Sequence, residues 1–186
     1  MGKIPKNAQL VYQGEIFAVY NWQQQMYDGS RQTFEMIKRT DTAEIIAVQD
    51  NKILISEQEQ PSKGKYYSLY GGQGEINEFS LETAQRELLE ESGLSSEQWE
   101  LFHETQLANK IEWTIYTYIA RDCQKVAEVK LDPGEKITQI SLNFPEFIDF
   151  IISDKYNNNS LKVKILKLIQ SGDKLEEFKF KLFNHA

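Results

Sequence analysis

A single cysteine, four prolines and the absence of any long apolar run set the first limits on this chain. Cys123 alone permits neither an intrachain disulfide nor a cysteine zinc cage, and is expected as a small buried hydrophobe on a strand. The opening residues Met1-Gly2-Lys3-Ile4-Pro5-Lys6 lack the apolar core of a signal sequence. No apolar stretch approaches the length of a membrane span. Gly2 stands where a myristoyl acceptor would, but Pro5 and Asn7 do not suit that pattern. The expectation is a cytoplasmic protein without membrane contact. Basic residues are also in short supply: 21 Lys and Arg against 28 Asp and Glu give a net charge of −7. That balance argues against a broad nucleic-acid footprint, because phosphate backbones favour basic surfaces. It leaves room for a small anionic substrate, since a bound metal reverses the local field. Repeats and low-complexity tracts are absent.

What remains is an ordinary globular composition, with 40% hydrophobic and 26% charged residues in a chain of 186. This length suits one domain, or one domain with a small extension. From Leu10 to Arg39 the pattern predicts strands, with turns at Gln13-Gly14 and Asp28-Gly29. Ile45 to Val48 and Lys52 to Ile55 flank Asp50-Asn51, a hairpin turn by composition. Ile111, Trp113, Ile115, Thr117 and Ile119 alternate with polar or aromatic neighbours and predict one strand. Three helices are expected. Ser80 caps the first, with Leu81, Ala84 and Leu88 as its apolar stripe and Gly93 at its end. Pro145 opens the second through Phe147, Ile148 and Ile151. Ser160 caps the third, with Leu161, Ile165, Leu168 and Ile169 on one side and Gly172 ending it. The tail from Asp173 is open between helix and extended chain. A mixed α/β sandwich accounts for this order.

The first of these helices carries the chemistry. Glu87, Glu90 and Glu91 stand at i, i+3 and i+4, so they share one face. Like charges at that spacing destabilise a helix by roughly 0.2–0.5 kcal/mol per pair. A bound hard cation is the simplest group to offset them, and oxygen-only ligands suit Mg²⁺ or Mn²⁺ rather than zinc.

Gly72, then Glu78, then Arg86-Glu87-Leu88, Glu90-Glu91 and Gly93-Leu94 match the box of the Nudix hydrolases at every defining position. The chain resembles that family. The resemblance implies an α/β/α sandwich with a mixed central sheet, plus a small N-terminal antiparallel β subdomain. It also implies a hydrolase that uses Mg²⁺, with Mn²⁺ as a substitute, to activate water for attack on a diphosphate. By that likeness Glu87, Glu90 and Glu91 are metal ligands and catalytic residues, and the carbonyl of Gly71 is a further ligand. Gly72 lets the loop turn into the helix, Glu78 and Arg86 pair to brace that loop, and Gly93 ends the helix.

The flanks resemble the ADP-ribose pyrophosphatase-like branch. Tyr12-Gln13-Gly14-Glu15-Ile16-Phe17 and Thr33-Phe34-Glu35-Met36-Ile37-Lys38-Arg39 look like its N-terminal strands, and Leu131 to Ile137 looks like its C-terminal loop. The likeness divides the chain into an N-terminal strand subdomain, residues 1–42, and a Nudix hydrolase domain, residues 43–186. In that branch the N-terminal sheet is exchanged within a homodimer and its aromatics hold the base. Phe17 and Phe34 are the positional counterparts, with Trp22 behind them; the alternative for each is a core aromatic. Arg39 matches an arginine that reaches phosphate, the alternative being a surface salt bridge. Glu135 lies in the loop from which some members supply a catalytic carboxylate, although Asp132-Pro133-Gly134 is equally a plain turn.

Three departures weaken the choice of ADP-ribose. Gln60 stands where relatives often carry arginine before Pro61, leaving Arg39, or Lys63 and Lys65, to supply charge. Tyr70 replaces a proline before the loop glycines, and no proline occurs between Gly93 and Pro133. The expected substrate is a nucleoside diphosphate sugar, with ADP-ribose first and GDP-mannose or another nucleoside diphosphate derivative as the alternative. A non-catalytic nucleotide-sugar sensor is the alternative of another class.

Overall fold

The computed structural model describes residues 3–106 and 109–183, so Gly2 lies outside it. Three strands open the chain, β1 (Gln9–Gln13), β2 (Ala18–Gln25) and β3 (Arg31–Lys38), joined as antiparallel hairpins. Their sheet gains a fourth strand, β10 (Ile111–Glu112), which pairs with β3 in parallel. The expected strand from Ile111 to Ile119 is therefore two strands. The chain breaks at Trp113 and continues as β11 (Thr114–Arg121), in the other sheet.

That central sheet is built on β4 (Thr42–Gln49) and β5 (Lys52–Gln60), which pair across Asp50-Asn51. Both turn residues have positive φ, 49° and 57°, the condition for a tight type I′ hairpin. β11 lies parallel to β4, and β9 (Gln98–Gln106) lies antiparallel to β11 at one edge. At the other edge β13 (Lys136–Leu142) runs antiparallel to β5. β6 (Gly64–Ser68) folds back on β5, and β7 (Tyr70–Gln73) pairs with the first half of β4. Along its length β4 thus changes partner, from β7 over Thr42–Ile45 to β5 over Ala47–Gln49. β8 (Leu94–Ser95) and β12 (Gln124–Lys125) form a separate short pair.

Helix α1 (Ser80–Ser92) covers one face, where its Ala84 and Leu88 are buried with Ala43, Ile45, Ala47 and Leu54. Helices α2 (Phe144–Ile152), α3 (Asn159–Ile169) and α4 (Gly172–Phe183) cover the other. There Phe147, Ile151, Leu161, Ile165, Phe178 and Leu182 pack on Ile46, Ile53 and Ile119. Alternation along β4 sends odd residues to one layer and even residues to the other, which makes the α/β/α sandwich. None of the described helices is long and apolar enough to cross a membrane.

Several local expectations are corrected. Phe79, not Ser80, is the N-cap of α1; its N–H is satisfied by Glu82, while the Ser80 hydroxyl bonds Tyr118. Leu81 is exposed rather than part of the buried stripe. Asn158, not Ser160, caps α3, accepting from the N–H groups of Ser160 and Leu161. Two cap-forming residues two positions apart compete there, and the one whose side-chain oxygen reaches two free N–H groups prevails. Gly172 does not end α3, which stops at Ile169; it is the first residue of α4, and the tail is helical. Cys123 is fully buried, but between β11 and β12 rather than on a strand.

Candidate active site

Residues 74–79 carry the chain from β7 into α1. Arg86, nearly two turns into the helix, ties that loop down. Its Nε donates to Glu78 Oε1 at 2.9 Å and its Nη2 to Glu78 Oε2 and the Gln73 carbonyl, both at 3.1 Å. The paired guanidinium holds the Glu78 carboxyl down at about 2. The hydroxyl of Thr83 and the N–H of Glu75 also donate to Glu78. This places the Arg86–Glu78 pair where a loop brace is needed.

Arg86 does more than that pairing implies. Its Nη1 lies 2.8 Å from Glu87 Oε1 and 2.9 Å from Glu90 Oε2, so the protein itself offsets part of the repulsion on this face. Burial nevertheless raises the Glu87 carboxyl above the ordinary range, the two Arg86 interactions opposing that shift. Glu87 also presses on the loop: a Cβ at Gly72 would stand 2.5 Å from its Oε1.

Glu91 sits deepest, 8% exposed. Its Oε2 accepts from the Gly71 N–H at 2.8 Å and its Oε1 from Gln58 Nε2 at 3.2 Å. No cation pairs with it among the described residues. Burial, opposed by the Gly71 hydrogen bond and aided by Glu87 and Glu135, pushes its carboxyl up to about 8. Gly71 meets this carboxylate through its N–H, a contact separate from the carbonyl that the resemblance assigns to a metal.

These groups line a cavity of about 400 Å³ together with Gln60, Tyr66, Lys130, Asp132 and Glu135. Glu135 reaches the cavity from a turn closed by its own N–H to the Asp132 carbonyl, and Gln60 Nε2 donates to its Oε1 at 2.9 Å. The plain turn and the site residue are therefore the same structure. Lys130, which the sequence reading passed over, lines the same wall, its N–H bonded to the Glu90 carbonyl. Lys65 instead pairs with Glu57, and Lys63 lies 3.6 Å over the Tyr66 ring.

Carboxylates, a carboxamide and main-chain groups make an oxygen-rich donor set, which suits Mg²⁺ or Mn²⁺. A nearly buried glutamate without a counter-ion fits the same need. Among the described residues no three acidic, histidine or cysteine side chains already enclose one point. Nη1 of Arg86 stands between Glu87 and Glu90.

A second cavity, about 480 Å³, lies beyond the loop and contains Arg39 and Trp113. The Arg39 guanidinium carbon lies over the Trp113 ring, 4.2 Å from its centroid, and 5.8 Å from that of Phe17. Its Nη2 donates to Gln73 Oε1 at 3.1 Å, and its Nε is buried without a partner. No carboxylate pairs with it among the described residues, so it is not the surface salt bridge that the sequence left open. Gln73 joins the two cavities, accepting from Arg39 through its side chain and from Arg86 through its carbonyl. Phe17 is 43% exposed, which removes the core alternative. Phe34 is half-buried against Trp22, ring centroids 5.9 Å apart, with Lys110 over its other side. It stands five residues along β3 from Arg39, about 16 Å, so the structure does not bring Phe17 and Phe34 together within this chain. Gln73 occupies a position that the Gly72–Leu94 box leaves open and Trp113 belongs to no recognisable motif, so neither role was legible in the sequence.

An α/β/α sandwich whose glutamate-bearing helix follows a glycine-rich loop defines a hydrolase of the Nudix type. Residues 38–159 match the family model of the NUDIX domain, and the chain belongs to that family. The crystal structure of an ADP compounds hydrolase has the same fold, with a TM-score of 0.69 over 90% of this chain and 94% of that one, at 18% sequence identity. No match is found among curated proteins.

Proposed function

We propose that this Nudix hydrolase cleaves the diphosphate linkage of a nucleoside diphosphate sugar with Mg²⁺, ADP-ribose giving AMP and ribose 5-phosphate. The supporting observation is Glu91, a buried carboxylate without a counter-ion, in an acidic cavity joined through Gln73 to the Arg39–Trp113 pair. Glu87, Glu90 and Glu91 would hold the ion, for which Mn²⁺ can substitute. When bound, the ion supplies charge stabilisation at phosphorus and lowers the pKa of a water. The protein's own part is positional. Arg86 fixes the helix to the loop, and Gly71 and Gln58 fix Glu91. Glu135, held by Gln60, accepts the proton of the attacking water as the phosphorus–oxygen bond breaks. Arg39 meets the phosphate remote from the reaction, and Phe17 and Phe34 serve the base, each from one copy of the chain.

That last division of labour requires a homodimer. All five residues of β1 are exposed, among them Leu10, Val11 and Tyr12, an uncovered apolar edge strand. Light scattering at working concentration is expected to give twice the chain mass; a monomer would refute the arrangement.

Gln60 spends its amide on Glu135, which leaves no fixed cation at that position and favours a second reading, GDP-mannose or another nucleoside diphosphate derivative. Relative kcat/KM across ADP-ribose, GDP-mannose and UDP-glucose with Mg²⁺ decides between them. ADP-ribose is expected to be the best of the three. No nucleoside monophosphate from any member of the panel would remove both readings.

A further inference from the structure

Gln58 lies on β5 directly opposite Tyr66 on β6, so both side chains rise from the same face of that pair. Gln58 is 6% exposed, and every polar atom of its amide is engaged. The Tyr66 hydroxyl donates to its Oε1 at 2.5 Å, and its Nε2 donates to Ser56 Oγ at 3.1 Å and to Glu91 Oε1 at 3.2 Å. Ser56 Oγ is in turn held by the Ser68 carbonyl at 3.1 Å and the Ser68 hydroxyl at 3.0 Å. Turning the amide over would set its oxygen against a Glu91 oxygen and forfeit both Nε2 hydrogen bonds. The ionised Glu91 carboxylate, which only accepts, therefore fixes which end of Gln58 faces the helix, and the Tyr66 hydroxyl anchors the other end.

Among the described residues Glu91 is held otherwise by its own helix and by the Gly71 N–H on Oε2. Those hold one oxygen of the carboxylate only. A donor on Oε1 holds the second oxygen as well, so two hydrogen bonds from two strands set the plane of the carboxylate. We propose that Gln58, anchored by Tyr66, is a positioning residue that holds the Glu91 carboxylate in the attitude in which it ligates a divalent cation. Neither residue is a ligand or a proton carrier; both act through Glu91. The inference rests on the metal-ligand reading of Glu91, not on the choice of substrate.

Groups that orient a metal ligand typically change metal affinity about 10–100-fold when removed. The test is Mn²⁺ binding to the full chain, followed by electron paramagnetic resonance of the free ion, in wild type, Gln58→Met, Tyr66→Phe and the double variant. Gln58→Met keeps the shape and loses the amide; Tyr66→Phe loses one hydroxyl. Gln58→Met is expected to weaken Mn²⁺ binding about tenfold or more, and Tyr66→Phe to weaken it in the same direction by less. The double variant is expected to match Gln58→Met, because Tyr66 acts only through Gln58. In turnover the loss falls on kcat, with KM for the nucleotide unchanged.

Unchanged Mn²⁺ binding by folded Gln58→Met would overturn the proposal, as would two losses that simply add. Should Gln58→Met fail to fold, Tyr66→Phe decides alone, and wild-type affinity there would overturn it. Wild-type protein that binds no Mn²⁺ removes Glu91 as a ligand and this inference with it. Wild-type protein that binds Mn²⁺ as expected but releases no nucleoside monophosphate overturns the substrate reading and leaves the positioning role standing.

Discussion

Glu91→Gln is expected to lower kcat at least about 100-fold with the fold intact, since the charge stabilisation a ligated metal supplies is worth several kcal/mol. The substitution nearly keeps the shape and removes the charge, and its NH2 group can no longer accept from one of the two donors, the Gly71 N–H or Gln58 Nε2. Steady-state kinetics with circular dichroism checks it, and unimpaired turnover would contradict the metal assignment. The same variant carries a stability signature. The Glu91 carboxyl lies at about 8 in the folded chain against an ordinary 4.5, with burial as the main cause. Between those values the folded state keeps a proton that the unfolded state has released. Metal-free stability should therefore fall as pH rises from about 4.5 to about 8, by at most about 1.4 kcal/mol per pH unit from this group. Glutamine carries no such proton, so the variant should lose that slope. Divalent cation binding has the opposite sign, growing stronger with pH over this window because it needs the charged form. Thermal unfolding without metal at pH 5.5 and 8 reads the first effect directly.

Gly71→Ala is expected to cost about 3 kcal/mol or more, lowering Tm by about 6–12 °C for a domain of this size. Two independent features require glycine here. Its φ is 140°, a region that residues with a side chain rarely adopt. A Cβ would also stand 2.0 Å from the Ala43 carbonyl oxygen on β4, a main-chain atom that cannot turn aside. Relief demands that β7 move away from β4, which carries the Gly71 N–H off Glu91 and takes activity with it. Differential scanning calorimetry of the metal-free protein checks the prediction. An unchanged Tm would mean that the close β4–β7 approach is not as described.

The sequence revealed the parts of this protein whose determinants are local. The i, i+3, i+4 glutamates, the helix that carries them and its left-handed end at Gly93 are all set by spacing within twenty residues. The Asp50-Asn51 hairpin is local in the same sense. Failures cluster where two local signals compete, or where sheet pairing decides. Asn158 outcompeted Ser160 for a cap, and Gly172 read as a stop although it starts the next helix. The alternation from Ile111 to Ile119 conceals a change of sheet at Trp113, because both strands keep the same period. The site shows the same division. Glu78 and Arg86 lie eight residues apart within the box, and their pairing is what the family resemblance implies, whereas Gln58 meets Glu91 across 33 residues and Gly71 meets it across 20. Which glutamine reaches which carboxylate depends on β4 changing partner from β7 to β5, and no spacing along the chain encodes that.

The three glutamates of α1 are consequently not equivalent. Glu87 and Glu90 share Arg86, whereas Glu91 is buried, uncompensated and held by groups from two strands. Cleavage of a diphosphate by water at this centre turns one diphosphate into two phosphate monoesters. Phosphorus NMR of ADP-ribose incubated with the protein and Mg²⁺ follows both at once. Paired growth of AMP and ribose 5-phosphate in equal amounts, abolished by Glu91→Gln, is the expected result. A spectrum in which the diphosphate persists at saturating Mg²⁺, or decays equally fast with the variant, would contradict it.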